Sequence, residues 1–102
     1  MNKLISITLI LFFSVAVFSA SKYDKALNYF KNKEYKKSLK ILGEILDVKN
    51  DLKKDSNNYK IRFLAAHNHW KLGNKDNAII HLSRCIDMQR TNADPYIDLA
   101  ML

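Results

Sequence analysis

Past residue 22 the apolar side chains recur every three or four places in paired runs, and the second pair repeats the first at an offset of forty residues. That spacing lines one face of a helix, and such a face has to be buried against another element. Tyr23, Ala26, Leu27 and Phe30 make the first stripe, and the polar stretch Lys31 to Glu34 interrupts it. Tyr35, Leu39, Leu42, Ile45 and Leu46 make the second, with Ser38 as a small residue on the same face. A connection of about four residues forces two such helices to pack antiparallel. Lys49 to Asn58 is charged, lacks a stripe and ends in Ser-Asn-Asn, which predicts a loop with a helix N-cap near its end. The pattern restarts as Tyr59, Phe63, Ala66, His67 and Trp70, stops at Leu72-Gly73-Asn74, and resumes as Ala78, Ile79, Leu82, Cys85 and Ile86. Thr91-Asn-Ala-Asp94 has the layout of a capping box with aspartate in the acidic place, and Pro95 suits a first helical turn, so a short fifth helix is expected there.

Two glycines and one proline in the whole chain leave little turn chemistry for a β-sandwich or barrel, so the fold class expected is all-α. The first residues are an address instead of part of that fold. Lys3 gives a short positive start, Leu4 to Phe18 is a charge-free apolar run of fifteen residues, and Ser19, Ala20 and Ser21 are small. This is the layout of a secretory signal peptide, assigned to residues 1–21, and the run falls short of the ~18 to 20 residues of a spanning helix. The mature protein is expected to start between Ala20 and Lys22 and to be periplasmic or secreted in a bacterial cell. The alternative is an inner-membrane anchor formed by residues 4–18. No cysteine follows the apolar run, which excludes a bacterial lipoprotein anchor, and the single cysteine, Cys85, cannot form an internal disulfide. Roughly 80 residues remain for one small domain, too few for a large enclosed pocket.

The formal charge of +7 comes mostly from fourteen lysines, with only three arginines. Bidentate phosphate recognition favours arginine, so the balance argues against nucleic acid as a partner. Residues 22–60 hold eleven basic and six acidic side chains, and residues 61–102 hold five and four. Any surface that steers a charged partner therefore belongs to the first hairpin.

The repeat resembles the tetratricopeptide family. The positions that carry the resemblance are Ala26, Tyr29, Lys33, Tyr35, Ser38, Leu42 and Ile45 in a first unit, residues 22–48. Ala66, His69, Gly73, Lys75, Ala78, Leu82 and Cys85 carry it in a second, residues 59–90. Pro95, Tyr96, Leu99 and Ala100 look like the opening of a third, residues 93–102. The motif is degenerate: Lys22 and Arg62 stand where a tryptophan or similar bulky residue is usual, His69 replaces an aromatic, and Ser38 and Ala78 are forty residues apart instead of the family's ~34. The resemblance implies antiparallel helical hairpins stacked as a short α-solenoid of about two and a half repeats. It also implies a groove lined by the first helix of each hairpin, with Tyr23, Leu27, Phe30 and Lys31 facing it in one unit and Lys60, Phe63, His67, Trp70 and Lys71 in the next. The asparagine and lysine clamp with which some members hold a C-terminal carboxylate is absent, because Leu27 and His67 stand where asparagine is needed.

No catalytic or cofactor constellation is legible. His67 and His69 lie two places apart, roughly 200° around a helix, and cannot share a metal as residues four apart do. No glycine-rich phosphate loop or nucleophile elbow occurs. The leading expectation is a non-catalytic protein-interaction module of the cell envelope that needs no cofactor and binds a protein or peptide. The alternatives are a structural piece of a longer exported repeat protein, or a surface protein tethered by an uncleaved N-terminal segment. The fifth helix has no partner helix of its own in this chain, so Tyr96, Leu99 and Leu102 are expected to be exposed or half buried and open to self-association.

Overall fold

The computed structural model describes residues 21–51 and 56–102; the expected signal peptide lies outside the described residues, Ser21 excepted. Five α-helices occur among them and no strand: α1 (Lys22–Lys31), α2 (Tyr35–Ile45), α3 (Ser56–Lys71), α4 (Lys75–Met88) and α5 (Asp94–Met101), with one 3-10 turn at Val48–Asn50. α1 packs on α2 and α3 on α4 as two hairpins, α2 and α1 both touch α3, and α5 lies against α4. This is the all-α stack of hairpins that the periodicity predicts.

Small residues set the closest approach within each hairpin. Ala26 and Ser38 are both 0% exposed where α1 meets α2, and Ala66 and Ala78, forty places on, are 2% and 0% exposed where α3 meets α4. Around the first pair, Ala26 and Leu42 join Ile61, Leu64 and Ala65 of α3 in one core cluster, with Tyr23, Leu27 and Phe30 packed against it. In the second hairpin Leu82, Cys85 and Met88 are buried. α3 therefore carries two buried faces, one toward each neighbour, and polar residues such as Arg62 and Asn68 fall among its apolar ones, so it shows little amphipathic contrast. The sequence pattern shows only the stripe through Tyr59, Phe63 and Ala66; Ile61, Leu64 and Ala65 form the face it leaves out.

The two hairpin turns are superposable in their hydrogen bonds. The Lys33 and Glu34 amides donate to the Phe30 and Tyr29 carbonyls at 3.0 and 2.8 Å, and those of Gly73 and Asn74 donate to Trp70 and His69 at the same two distances. Both turns need one left-handed residue, Lys33 at φ 63° and Gly73 at φ 78°. Only the second supplies glycine for it.

Three details differ from the expectations. α3 begins at Ser56, inside the stretch expected as loop, and the 3-10 turn occupies part of the same stretch. Asn58 is buried, and it acts as a latch instead of a cap: its Nδ2 donates to the Asp47 carbonyl at 2.8 Å and its Oδ1 accepts from the Asp47 amide at 3.3 Å. The capping box at α5 does not form; Asn92 Oδ1 accepts from the Asp94 amide at 3.0 Å, because an asparagine two residues before an amide closes a tighter turn than Thr91 can. At the far side of α5, Leu99 and Leu102 are half buried and Tyr96 is 47% exposed, as expected, but Ile97 and Met101 are more open still, at 54% and 64%.

The turn comparison gives a paired prediction. Lys33→Gly should stabilise the fold by about 0.5 kcal/mol, the relief of left-handed strain exceeding the entropy a glycine adds to the unfolded chain. A Cβ at Gly73 meets no atom within 4 Å, so Gly73→Ala should cost about 1 kcal/mol through φ alone. Urea unfolding followed by circular dichroism measures both, and the two shifts should have opposite signs.

Candidate interaction face

α1 and α3 run side by side in the same direction. The Lys60 ammonium sits 5.3 Å above the Tyr23 ring, and the Phe30 and His67 rings meet edge-on at 6.4 Å between centroids. Thirty-seven residues separate each of these pairs, so the two helices keep one register over two turns. Along α3 the rings form a row. Tyr59 stacks on Phe63 at 5.7 Å, Phe63 meets His67 at 4.6 Å and 72°, and His67 meets Trp70 at 6.2 Å. Every ring in the row is half buried. The row follows from spacing, since residues three and four apart on a helix are neighbours.

The residues assigned to the groove thus fall into three groups. Phe30, Phe63, His67 and Trp70 are joined by ring contacts, and Tyr23 pairs with Lys60. Leu27, like Tyr23 and Phe30, also packs on the core cluster. Lys31 and Lys71 are exposed at the last positions of α1 and α3. A hollow of about 540 Å³ opens where Lys22, Tyr23 and Asp24 of α1 face Asn57, Lys60 and Ile61 of α3.

α5 contributes a residue that sequence reasoning does not find. The Asp98 carboxylate lies 3.1 Å from His67 Nε2, while the other ring nitrogen, Nδ1, is 2.9 Å from the Phe63 carbonyl. The imidazole is therefore held at both ends. No periodic rule links positions 67 and 98; only the stacking of α5 beside the second hairpin brings them together.

A second polar cluster ties the long inter-hairpin connection down. Asp51, 7% exposed, accepts from Arg62 Nε at 3.0 Å and Nη2 at 3.1 Å in a two-pronged pair, with Arg84 Nε 3.5 Å away. Arg62 thus replaces the expected bulky residue with a guanidinium that fills the place and carries its own partner. Its Nη1 donates to His81 Nδ1 at 3.1 Å, which requires a neutral His81 ring. His81 stacks on His69 at 5.4 Å, and the two border a cleft of about 200 Å³ floored by Ile61 and Ala65. Burial, then Arg62 and His69, push His81 down to about 4; burial also lowers His69. Cys85 lies under this region with its thiol facing the Tyr59 carbonyl at 3.8 Å, and burial pushes it up to about 12, so it is an inert core residue at neutral pH. Among the described residues no group of three His, Cys, Asp or Glu could hold a metal ion, and no helix is long and apolar enough to cross a membrane.

The family model of the tetratricopeptide repeat matches residues 59–92, the span of α3 from Tyr59 through α4. The first hairpin, outside that match, repeats its turns and its small-residue contacts forty places earlier. No curated protein and no solved structure matches the chain. The fold is a short, all-α, tetratricopeptide-like helical repeat.

The histidine pair predicts acid lability. An unfolded histidine takes up a proton near pH 6.5, whereas folded His81 resists until about pH 4, so its contribution is fully present above about pH 6.5 and lost as pH falls toward 4. Because the ring is partly open to solvent, the loss amounts to about 2 kcal/mol. Urea unfolding at pH 7.5 and pH 5.0 should show a large part of that difference, and His81→Gln should flatten it.

Proposed function

We propose that this chain is a non-catalytic protein-interaction module of the cell envelope, which holds a protein or peptide partner on the face shared by α1 and α3. The observation that carries the reading is the half-buried ring row of Phe63, His67 and Trp70, extended by Phe30 of the neighbouring helix. Half-buried aromatic side chains bordered by long polar ones are what a binding hot spot uses, because they offer large contact area with little rotamer entropy to lose. The repeat match over the second hairpin supports the same class of function, since stacked helical hairpins present extended binding surfaces.

Export is the second half of the proposal and rests on the charge, length and small-residue ending of the first 21 residues. Ser21 is the N-cap of α1, its Oγ accepting from the Asp24 amide at 3.2 Å, so cleavage after Ala20 would leave the domain with its cap. N-terminal sequencing of the protein from fractionated cells tests this: a start between Ala20 and Lys22 in the periplasm or medium is expected, and a full-length chain found only in membranes would replace export by anchoring.

For the face itself, Phe63→Ala and Trp70→Ala should each weaken capture of the native partner by more than about 1 kcal/mol, while Lys49→Ala, on the exposed 3-10 turn, should not. Affinity and unfolding free energy have to be measured together. A loss of binding that only tracks a loss of helix would reassign both rings to the core.

A further inference from the structure

Resting on the reading of the α1 and α3 face as a partner site, we propose that its partner is an acidic peptide segment with an apolar centre. Its carboxylates pair with Lys31, Lys60 and Lys71, and its apolar side chain lies on the rings of Phe30, His67 and Trp70. The charge inventory of the two helices is one-sided. α3 contains no acidic residue, and α1 contains only Asp24, in its first turn. Lys22 is engaged by Glu44 at 3.6 Å, but Lys31, Lys60 and Lys71 are exposed, and Lys60 is held over the Tyr23 ring toward α1. A basic segment would meet like charge along this face, and an acidic one would meet complementary charge.

The fold already seats one carboxylate on these rings. Asp98 reaches His67 from the α5 side at 3.1 Å with only 17% of its side chain exposed, so a carboxylate is accommodated beside Phe63 and His67 without loss of the row. On the α1 side Asp24 borders the hollow shared with Lys60, and it is the single acidic side chain that α1 and α3 set against the exposed Lys31, Lys60 and Lys71. The geometry favours a peptide over the other anionic macromolecules. The rings are half buried, where insertion into a lipid surface needs apolar groups that project. Phe63 and His67 turn their edges and faces on each other at 72°, which is a poor platform for a run of stacked bases.

Trp70 is the sole tryptophan and reports on the site directly. The protein as isolated is titrated, with Trp70 fluorescence as readout, against three peptides sharing a Leu-Phe-Leu centre and flanked on both sides by three glutamates, three glutamines or three lysines. The glutamate peptide should bind about tenfold tighter than the glutamine peptide, the combined effect of several exposed ion pairs, and the preference should shrink as salt rises from about 50 to 300 mM. The lysine peptide should bind weakest, and Lys60→Glu with Lys71→Glu should reverse the order. Equal affinity for all three peptides would overturn the acidic preference while leaving the interaction face standing. No binding by any of them would overturn both. A fluorescence shift seen only with phosphatidylglycerol vesicles, or only with an oligothymidine, would overturn the peptide assignment in favour of lipid or nucleic acid.

Discussion

The Ser38 hydroxyl is the point at which three helices are fastened. It donates to the Ala26 carbonyl of α1 at 2.7 Å and accepts from Asn68 Nδ2 of α3 at 2.9 Å, and Asn68 Nδ2 also donates to the Leu64 carbonyl at 3.1 Å. All of these groups are buried, so the bonds form where water does not compete and where an unmade bond is costly. The relay fixes how far α2 stands from α1 and how α3 is rotated against both. That rotation in turn directs Ile61, Leu64 and Ala65 into the core and leaves Phe63, His67 and Trp70 on the open side. At the corresponding place in the second hairpin stands Ala78, fully buried and with no hydroxyl to bond. The first seam is thus specified by hydrogen-bond geometry and the second by shape.

Among the described residues between the hairpins, polar bonds hold Asp47 and Asp51 in place. Asn58 grips both backbone groups of Asp47, and Asp51 is clasped by Arg62, which leaves the segment before α3 anchored at two points. A buried carboxylate without its guanidinium would be destabilising by several kcal/mol, so Arg62 and Asp51 are interdependent. The same guanidinium reaches His81, so the ring that burial keeps neutral is hydrogen-bonded to the residue that holds Asp51.

Helices and turns were legible because their causes are local. The stripes and the glycine at 73 act within a few places, and the small residues pair across a single hairpin, Ala26 with Ser38 and Ala66 with Ala78, each twelve places apart. The second buried face of α3 was hidden because a helix packed on two sides loses its amphipathic contrast, and Asn68 and Arg62, both polar, break the apolar pattern at that helix. The start of α3 was hidden for a related reason: Ser56, Asn57 and Asn58 are typical of turns, and only the partner of Asn58, eleven residues back, makes a helical asparagine favourable. The site was half legible. Ring spacing along α3 places Phe63, His67 and Trp70 together from sequence, whereas Asp98 and the Tyr23 to Lys60 contact depend on how neighbouring helices align.

That dependence divides the face into two unequal sides. On the α5 side the imidazole of His67 is committed, one nitrogen to the Phe63 carbonyl and the other to Asp98, and the acidic group is supplied by the fold. On the α1 side the same rings are bordered by lysines, and the only acidic side chain of the two helices is Asp24, which lines the hollow at the Lys60 end of the face. The position of α5 consequently does more than cover part of the second hairpin. With both ring nitrogens of His67 engaged, the exposed lysines are the charged groups left along the row, and an ammonium on a long flexible stem follows a mobile carboxylate readily. On the proposed reading of this face, selectivity comes from charge at its borders, and adhesion comes from the rings between them.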